Sequence, residues 1–406
     1  MKKIAGNTYI KKDQGDLFFD QVRFESFMKD KKTPLMILLE NKIRKNIQTF
    51  KRVFSSVFDN FKGFYSFKAN YLSQVCKIIK TEKIGAEVIG LPEMKLALSL
   101  DFDPENIIVG GPYLPEDLIE MAVKQNVREI IIYDLKDIKK VNKIARKYKS
   151  IQNLCLRINS QKYESKLGIQ LTEKNLAFLN NVLDQSNHIK ISTLLSHFTS
   201  QMNSPHQYLK NVQTIVEGLK KLSSFNLNVK NINLGGGFPE AVIMPEKQLL
   251  KIANAIKKKL EKSKIEYNQI YFEPGRYFVG DAGLYIAKIT KVSNNNWIFL
   301  NIGNYICPKF ARCSLRFYNA DKIDKAHKYK ISIAGIVPTD QDVLVKDYFF
   351  TQENKENERV LVTNVGAYCL TFSNRFPYQL PQIYMVTDDR SNNIFNPMVD
   401  GDFSLY

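Results

Sequence analysis

The sequence predicts an α/β protein in which a TIM-like (β/α)₈ barrel is joined to a mostly antiparallel C-terminal β domain. Residues 35–280 alternate short, nearly continuous apolar runs with longer segments of helical period, which is typical of βα units around a buried parallel sheet. After Gly280 the runs become β-branched and alternating, and Asn, Asp and Gly separate them, which is typical of antiparallel strands. The chain has 406 residues, more than one hydrophobic core usually holds, so we expect two domains.

The barrel is predicted to contain eight strands, with helices such as Glu93–Leu100 and Pro115–Lys124 between them. The predicted strands are Phe64–Ala69, Gly85–Ile89, Asn106–Val109, Glu129–Tyr133, Asn153–Ile158, Ser192–His197, Val229–Leu234 and Gln269–Glu273. Eight βα units in unbroken order favour a closed barrel over an open doubly wound sheet.

The β domain is predicted to comprise residues 281–406 together with residues 1–34. Its strand candidates are IAKITKV, NWIFLNI, KYKISIAGIV and ERVLVTNV. The first 34 residues contain TYIKK and LFFDQV, which are also strand-like, and we expect them to join the same sheet. The barrel, residues 35–280, would then be inserted into the β domain.

Composition argues against several classes of protein. No apolar run approaches the roughly eighteen residues of a membrane span, and the polar start MKKIAGNTYIKKDQGD lacks a signal-peptide core, so a cytoplasmic location is expected. The five cysteines form neither a CxxC pair nor a cluster with histidines, so we expect neither disulfides nor a structural metal. The net charge of +18 would attract anions, but the lysines are scattered over helix faces such as 136–149 and 257–264, so nucleic acid is not an expected partner.

Polar residues stand where the predicted barrel strands end, and barrel enzymes gather their reacting groups at that face. Lys68, in YSFKAN, has an apolar setting that lowers the pKa of an ammonium and favours Schiff-base chemistry, although a strand-end lysine with its amine in water is the simpler explanation for this residue alone. The run Gly235, Gly236, Gly237 follows an apolar strand and either brings backbone N–H groups to a phosphate or forms a tight turn.

The last predicted strand ends in the motif EPGRYFVG. Its carboxylate, Glu273, is suited to a pyridinium N–H, and Gly275 and Arg276 are suited to a phosphate; an ion pair between Glu273 and Arg276 is the alternative. His197, in SHFTSQ, is one of four histidines and is suited either to stacking on a flat cofactor ring, to acid–base chemistry, or to a place in the core. Glu87 and Arg157 also end strands.

Taken together, these motifs resemble a known family. YSFKAN, GAEVIGLPE, LRIN…SKLGI, SHFTSQ, NLGGGF, EPGRYFVGDAG and VGAYCLTFSNRF, in this order between residues 35 and 385, are similar to the fold-type III pyridoxal-phosphate decarboxylases, which include diaminopimelate, ornithine and arginine decarboxylases. The resemblance implies an alanine-racemase-like barrel, pyridoxal 5′-phosphate as cofactor, and decarboxylation of an amino acid or an amino-acid-like group. It implies that Lys68 carries the cofactor, Glu273 partners its pyridine nitrogen and His197 stacks on its ring.

The resemblance also implies a homodimer whose active sites are shared between subunits. The residues that fall where the family binds the phosphate are Ser200, Gly235, Gly236, Gly237, Gly275 and Arg276. Tyr368, in VGAYCL, would add a contact from the opposite subunit. Glu87 and Arg157 match positions that orient the lysine and the ring.

One segment departs from the family pattern, which reads Gly-Pro-x-Cys-(Asp/Glu)-(Ser/Gly)-x-Asp. The segment Gly335–Asp342 has Pro338 in place of the cysteine associated with reprotonation and Thr339 in place of the acid that contacts a distal amine. Because proline neither donates a proton nor holds a charge, the usual grip on a diamine is expected to be absent. Thr339 and Asp340 remain candidate substrate contacts, and Cys369 is a possible substitute acid.

A second departure lies near Cys307-Pro308, where diaminopimelate enzymes carry an Arg-Pro pair. Arg312 and Arg316 follow it and are candidate substrate contacts of positive charge. These losses resemble relatives from antibiotic, siderophore and peptide-tailoring pathways, which decarboxylate an amino acid displayed on a carrier protein or a nucleotide-linked peptide. A net charge of +18 suits such an anionic, phosphate-bearing substrate.

Two other functions stay open from the sequence. A pyridoxal-phosphate racemase shares the barrel and the lysine but needs a second base, and the EPGR and GAY motifs favour the decarboxylases. A non-catalytic regulator, similar to antizyme-inhibitor-like proteins, would fit the loss of the Cys–acid pair. Retention of Lys68, His197, Glu273 and the glycine run argues against that regulator.

Overall fold

The computed structural model describes residues 1–159 and 165–401. The residues between LRIN and SKLGI in the third family motif therefore lie outside the described part. The chain divides into two compact units. Among the described residues, the barrel unit contains Ile47–Pro239 and Met244–Gly275, and the β unit contains Met1–Asn46, Glu240–Ile243 and residues 276–401.

The strands are numbered in chain order. They are β1 (Lys2–Ile4), β2 (Asn7–Asp13), β3 (Asp16–Phe19), β4 (Val22–Arg23), β5 (Leu35–Leu39), β6 (Phe61–Ser66), β7 (Gly85–Val88), β8 (Ile107–Gly110), β9 (Glu129–Ile132), β10 (Gln152–Arg157), β11 (Ile189–Leu195), β12 (Asn231–Asn233), β13 (Gln269–Phe272), β14 (Gly283–Val292), β15 (Trp297–Leu300), β16 (Arg316–Asn319), β17 (Tyr329–Ala334), β18 (Val343–Phe350), β19 (Arg359–Thr363), β20 (Gln382–Thr387) and β21 (Arg390–Phe395).

The helices are numbered in the same way. They are α1 (Phe24–Met28), α2 (Glu40–Ser55), α3 (Ser73–Thr81), α4 (Leu91–Ser99), α5 (Glu116–Lys124), α6 (Leu135–Lys147), α7 (Glu173–Asp184), α8 (Pro205–Ser223), α9 (Glu246–Lys262), α10 (Arg276–Val279) and α11 (Pro397–Asp400). Short 3₁₀ turns span Phe67–Ala69, Pro104–Asn106, Gly280–Ala282, Lys309–Ala311 and Ala320–Lys322.

The barrel unit contains a closed barrel of eight strands, β6 to β13, in sequence order. Every neighbouring pair is parallel, and β13 closes the ring against β6. This confirms the predicted (β/α)₈ barrel and its eight strands, with bounds that differ by a few residues. Apolar side chains fill its interior, including Phe64, Ile131 and Leu195, so the barrel is a packed core and its polar residues are concentrated at the strand ends.

The basic helices of the barrel unit are amphipathic, as predicted. In α6 the side chains of Ile138, Val141 and Ile144 are buried, whereas Lys139 and Lys143 are exposed. The Asp134 side chain caps this helix by accepting a hydrogen bond from the backbone N–H of Lys136. These lysines form solvated helix faces. No helix in the described part of the chain is both long and apolar enough to cross a bilayer.

The β unit contains a nine-stranded sheet whose main path is β18-β17-β15-β14-β5-β20-β21, with β19 pairing both β14 and β16. Most pairs are antiparallel, as predicted; β5 with β20 and β15 with β17 are parallel. The strand β5 lies in this sheet and not in the barrel, although the predicted barrel began at residue 35. Its run LMILL is buried throughout, and such a run looks the same in either setting.

The N-terminal strands form their own four-stranded antiparallel sheet, β1 to β4, so the prediction that they join the larger sheet is wrong. They nevertheless share a core with it. Ile10 and Phe19 of the small sheet pack in one apolar cluster with Ile37, Ile286 and Leu361 of the large one. Burial in a common core, and not strand pairing, holds the two sheets together.

Candidate active site

Lys68 lies in the 3₁₀ turn Phe67–Ala69, immediately after barrel strand β6. Its two neighbours in the turn are buried, but its own side chain keeps 34% of its surface exposed. The amine lies 2.9 Å from one carboxylate oxygen of Glu87 and 3.1 Å from the other. The prediction that this amine has an apolar setting is therefore wrong, because the Glu87 carboxylate lies next to the amine and fixes its position.

Glu87 is a buried residue of strand β7, with 2% of its side chain exposed. It is paired in register with Ser66, the last residue of β6, and the Ser66 hydroxyl donates a hydrogen bond to it. Two donors, the Ser66 hydroxyl at the end of β6 and the Lys68 amine in the turn after it, therefore satisfy this buried carboxylate.

Glu273 follows barrel strand β13 and is 8% exposed. Its Oε1 accepts a 2.8 Å hydrogen bond from the side-chain amide of Asn233, whose own oxygen accepts the backbone N–H of Gly235 at 2.8 Å. Burial, and then the charge of Glu87, raise the pKa of Glu273 to about 7, while Lys68 and the bond from Asn233 act in the opposite direction. A cationic N–H donor brought to this carboxyl would favour its charged form.

His197 follows strand β11 and contacts the glycine run through its ring. The backbone N–H of Gly236 lies 3.3 Å from its Nδ1, which makes Nδ1 the acceptor and places the ring proton on Nε2. Burial, followed by the charges of Arg157 and Lys68, lowers the pKa of His197 to about 3. The imidazole is therefore neutral at physiological pH.

The three glycines after strand β12 pass too close to their neighbours to carry side chains. A Cβ on Gly235 would lie 2.8 Å from Nδ1 of His197, and one on Gly236 or Gly237 would lie 2.4 Å from a backbone oxygen. Gly235 and Gly237 also have positive φ angles of 63° and 86°, which glycine adopts without a steric penalty. The run is a bare backbone turn at the mouth of the barrel.

The remaining predicted residues of the barrel unit lie in loops or at strand ends. Ser200 is exposed in the loop after β11, and Gly275 is the last residue of the unit. Arg157 ends strand β10; its guanidinium donates a 2.9 Å hydrogen bond to the Tyr133 hydroxyl and lies 4.7 Å from the centre of that ring.

Three contributors to this mouth were not among the predicted site residues: Ser66, Tyr133 and Asn233. Each ends a barrel strand or directly follows one, and each binds a predicted residue. A polar residue at such a position is a signal that the sequence already contains.

Other predicted residues belong to the β unit. Arg276 begins α10 and is 7% exposed. Its guanidinium lies 3.1 Å from a carboxylate oxygen of Glu240 and donates to the Ala311 carbonyl oxygen at 2.5 Å. The Tyr368 ring lies with its centre 4.9 Å from the same guanidinium. Tyr368 therefore contacts Arg276 of its own chain, and its expected contact with the phosphate of an opposite subunit stays a prediction.

Arg312 and Arg316 do not share a pocket. Arg312 lines a cavity of about 190 Å³ together with Cys307, Cys313 and Cys369. Arg316 lines a separate groove of about 700 Å³, whose other lining residues include Lys2, Lys3, Asp324 and His327. Of these two candidate substrate contacts, only Arg312 lines the cavity that contains Cys307.

The segment Gly335–Asp342 keeps its framework. Asp342 is 2% exposed, and its carboxylate accepts the backbone N–H groups of Asn304 and Val337 at 2.6 and 2.8 Å. A Cβ on Gly335 would lie 2.2 Å from that carboxylate, so only glycine fits there. Pro338, Thr339 and Asp340 lie exposed at the tip of the loop.

Comparison with known proteins agrees with this geometry. Residues 40–280 match the family model described as pyridoxal-dependent decarboxylase, pyridoxal binding domain. The diaminopimelate decarboxylase of Staphylococcus aureus is 21% identical, over 94% of each chain. The L-glutamyl-[BtrI acyl-carrier protein] decarboxylase of Niallia circulans is 25% identical, over 76% of this chain and 78% of the relative.

The fold is shared with solved structures. The crystal structure of diaminopimelate decarboxylase from M. jannaschii superposes with a TM-score of 0.87 at 19% identity, over 97% of this chain and 96% of that one. The match to the family model alone covers more than half of the present sequence. This chain therefore belongs to the pyridoxal-dependent decarboxylases and is a carboxy-lyase that uses pyridoxal 5′-phosphate to decarboxylate an amino acid.

Proposed function

We propose that the substrate is an amino acid displayed on a larger anionic molecule, such as a carrier protein or a nucleotide-linked peptide, and not a free diamino acid. The loop Gly335–Asp342 carries this proposal. Its framework is intact, yet Pro338 and Thr339 stand exposed where the family pattern has a thiol and an acid. A loop that keeps its shape but has lost its charged contact no longer selects a distal amine.

Three further observations support a carried substrate. The relative from Niallia circulans is named for a glutamyl group on an acyl-carrier protein, and its identity to this chain is 25%. The net charge of +18 raises the rate at which an acidic protein or a phosphate-bearing molecule meets the enzyme. Arg312, beside the cavity at Cys307, supplies positive charge within the β unit.

The residues at the barrel mouth fit pyridoxal 5′-phosphate. Lys68 offers a partly exposed amine, Glu273 a buried carboxyl whose pKa is raised to about 7, and His197 a neutral ring that a cationic heterocycle does not repel. The bare turn Gly235–Gly237 leaves room for a phosphate against backbone N–H groups. When bound, the cofactor supplies an aldehyde for an amine and a protonated ring that accepts the electrons left by departing carbon dioxide.

The roles of the chain's residues follow from their contacts. Lys68 is the amine that carries the cofactor. Glu87 orients this amine by accepting a hydrogen bond from it, with a distance of 2.9 Å between the nitrogen and the carboxylate oxygen. Glu273 keeps a proton on the ring nitrogen, and Asn233 fixes Glu273 at 2.8 Å. His197 stacks on the ring and Arg157 sets its orientation.

We assign the phosphate to the residues that match the positions at which the family binds it. They are Ser200, Gly235, Gly236, Gly237, Gly275, Arg276 and Tyr368. In this assignment Tyr368 adds its contact from the opposite subunit, while its ring lies beside the Arg276 guanidinium of its own chain.

We also propose that the enzyme is a homodimer. The β unit exposes a group of large aromatic side chains: Phe310 is 74% exposed, Phe376 63%, Tyr378 44% and Phe372 39%. Phe310 and Phe372 contact each other, with ring centres 4.9 Å apart. Exposed aromatic groups of this kind are typical of protein interfaces, and a second copy would cover them. Light scattering on Phe310→Ser/Phe376→Ser is expected to show a monomer, and a dimer of unchanged stability would contradict the assignment.

Carbon dioxide release from carboxyl-labelled substrates tests the proposed substrate class. Glutamate attached to the phosphopantetheine thiol of a carrier protein is expected to exceed free glutamate, diaminopimelate, lysine and ornithine in kcat/KM by about tenfold or more, the value of one charge-assisted contact. The Lys68→Ala variant serves as the blank for every substrate. Decarboxylation of a free diamino acid at an ordinary enzymatic rate would overturn the proposal.

A further inference from the structure

Three of the five cysteines lie together in the β unit, although they are far apart in the sequence. The sulfur atoms of Cys313 and Cys369 are 3.5 Å apart, and 56 residues separate them along the chain. Cys307 lines the same cavity of about 190 Å³ as both of them. Cys307 and Cys369 are buried, whereas Cys313 is partly exposed.

This cluster does not match a metal site. Among residues 1–159 and 165–401, no group of three or more His, Cys, Asp or Glu side chains is arranged to hold a metal ion. The relevant chemistry is that of thiols. Thiol–disulfide exchange that ends in an intrachain disulfide needs one thiol that solvent can reach and a second thiol in contact with it. Cys313 and Cys369 meet both conditions.

We propose that Cys313 and Cys369 form a dithiol site that a small disulfide, such as oxidised glutathione, converts to an intrachain disulfide. We further infer that this conversion weakens cofactor binding. The second inference rests on the proposed roles of Arg276 and Tyr368 in holding the phosphate.

The first step is an attack by Cys313, the partly exposed thiol. Its proton passes to water, its sulfur bonds to one sulfur of the reagent, and the disulfide bond of the reagent breaks to release one small thiol. Cys369, 3.5 Å away, then attacks the Cys313 sulfur and releases the second small thiol. The two protein thiols are oxidised and one external disulfide is reduced to two thiols.

Cys313 contacts one proposed phosphate-binding residue, and Cys369 is the sequence neighbour of another. The Arg276 guanidinium lies 3.7 Å from the Cys313 sulfur, and Tyr368, whose ring covers that guanidinium, directly precedes Cys369. A disulfide requires the sulfurs to approach by about 1.5 Å from their present separation, to roughly 2.05 Å. That movement shifts the backbone at Tyr368 and removes the thiol that lies against Arg276.

The reaction is expected to be slow. The hydrogen bond to Cys369 and then burial raise the pKa of the Cys313 thiol, with the Arg276 charge acting in the opposite direction. Because the thiolate is the attacking species, exchange should take hours and not seconds. Because exchange is slow, the site would respond to oxidised glutathione that stays elevated for hours and not to a brief rise.

Peptide mapping of the cofactor-loaded enzyme after a day in oxidised glutathione tests the first inference. A Cys313–Cys369 cross-link that a reductant removes is expected, and Cys313→Ser and Cys369→Ser should each abolish it. Cys76→Ser, which alters a buried thiol in helix α3, is the matched control and should leave it intact. Absence of the cross-link, or a cross-link from Cys369 to Cys307, would overturn the assignment.

The same samples test the second inference. Oxidation is expected to weaken the cofactor Kd, read from its visible absorbance, by about tenfold in the wild type and not in Cys313→Ser. An unchanged Kd in cross-linked enzyme would overturn the coupling while leaving the dithiol site in place. Neither readout depends on which amino acid is the substrate, so failure of the proposed substrate class remains a separate result.

Discussion

The barrel mouth and the loops of the β unit differ in how closely they follow the family pattern. At the mouth, Lys68, Glu87, His197 and Glu273 all lie at strand ends, and each has a hydrogen-bond partner within the barrel unit. In the β unit, the tip of Gly335–Asp342 carries no thiol. The difference supports the proposal that the enzyme keeps the family's decarboxylation chemistry and acts on a different substrate.

The largest effect short of losing the lysine is expected at Glu273. Glu273→Gln keeps the shape and can still accept the hydrogen bond from Asn233, but it removes the charge that keeps the ring nitrogen protonated. We expect kcat/KM to fall about 10²-fold or more, the scale of losing one preorganised electrostatic partner. Steady-state carbon dioxide release measures it. A loss below about threefold would mean that this carboxylate does not face the ring nitrogen.

A smaller effect is expected at Asn233, which contacts Glu273 and not the substrate. Asn233→Ala removes a hydrogen bond to a buried carboxylate, a contact worth about 1.5–3 kcal/mol, so kcat/KM should fall about tenfold or more and its pH profile should shift. Asn153→Ala, at an exposed position on β10, is the matched control and should change neither. An unchanged pH profile would reduce Asn233 to a purely structural residue.

Two residues of the family pattern can be restored in the loop Gly335–Asp342. Pro338→Cys with Thr339→Glu restores a thiol and an acid at the exposed tip without touching Asp342, which holds the loop. A gain of a few-fold in decarboxylation of free diaminopimelate or lysine is expected, since one surface charge contact is worth up to about 1 kcal/mol. Gln341→Glu adds a charge beside the tip as a control. An equal gain in that control would show that charge alone matters and that the loop positions do not.

The smallest effect concerns stability at the other end of the barrel. Burial raises the pKa of Glu129 to about 7, against which the hydroxyls of Thr193 and Ser192 act. Because the pKa is higher in the folded protein, protonated Glu129 contributes to the stability of the fold. This contribution is fully present below pH 4.5 and is lost as the pH rises through about 7.

Glu129→Gln cannot ionise, so the variant should lose less stability between pH 5 and pH 8 than the wild type, by on the order of 1–3 kcal/mol. Urea unfolding at the two pH values measures the difference, and kcat/KM should stay unchanged. The exposed Glu116→Gln is the control. Parallel pH dependences in Glu129→Gln and the wild type would contradict the assignment.

Much of the barrel was predictable because parallel strands buried on both faces give continuous apolar runs. The same property misplaced Leu35–Leu39, whose run is equally apolar but pairs with β14 and β20. The apolar pattern of a strand does not reveal which other strand it pairs with. For the same reason the terminal strands β1 to β4 were recognised as strand-like, but their separate sheet was not.

The site shows the same division. Lys68, His197 and Glu273 were predicted to lie at one barrel face because parallel strand ends meet there, and all three follow barrel strands in the structure. The contact between Cys313 and Cys369 was not, because 56 residues separate them and no spacing rule joins them. Arg312 and Arg316 stand four residues apart in the sequence but line different cavities. Arg312 has a left-handed backbone conformation and Arg316 begins strand β16.

The most direct test of the central claim is borohydride reduction of the cofactor-loaded enzyme followed by peptide mapping. The sequence contains 47 lysines, so an aldehyde can react with many other amines. We expect a single pyridoxyl group, on Lys68, and none there in Lys68→Ala, while Lys77→Ala, at an exposed position, should be labelled like the wild type. A pyridoxyl group on another lysine, or on none, would contradict the assignment of the barrel mouth as the active site.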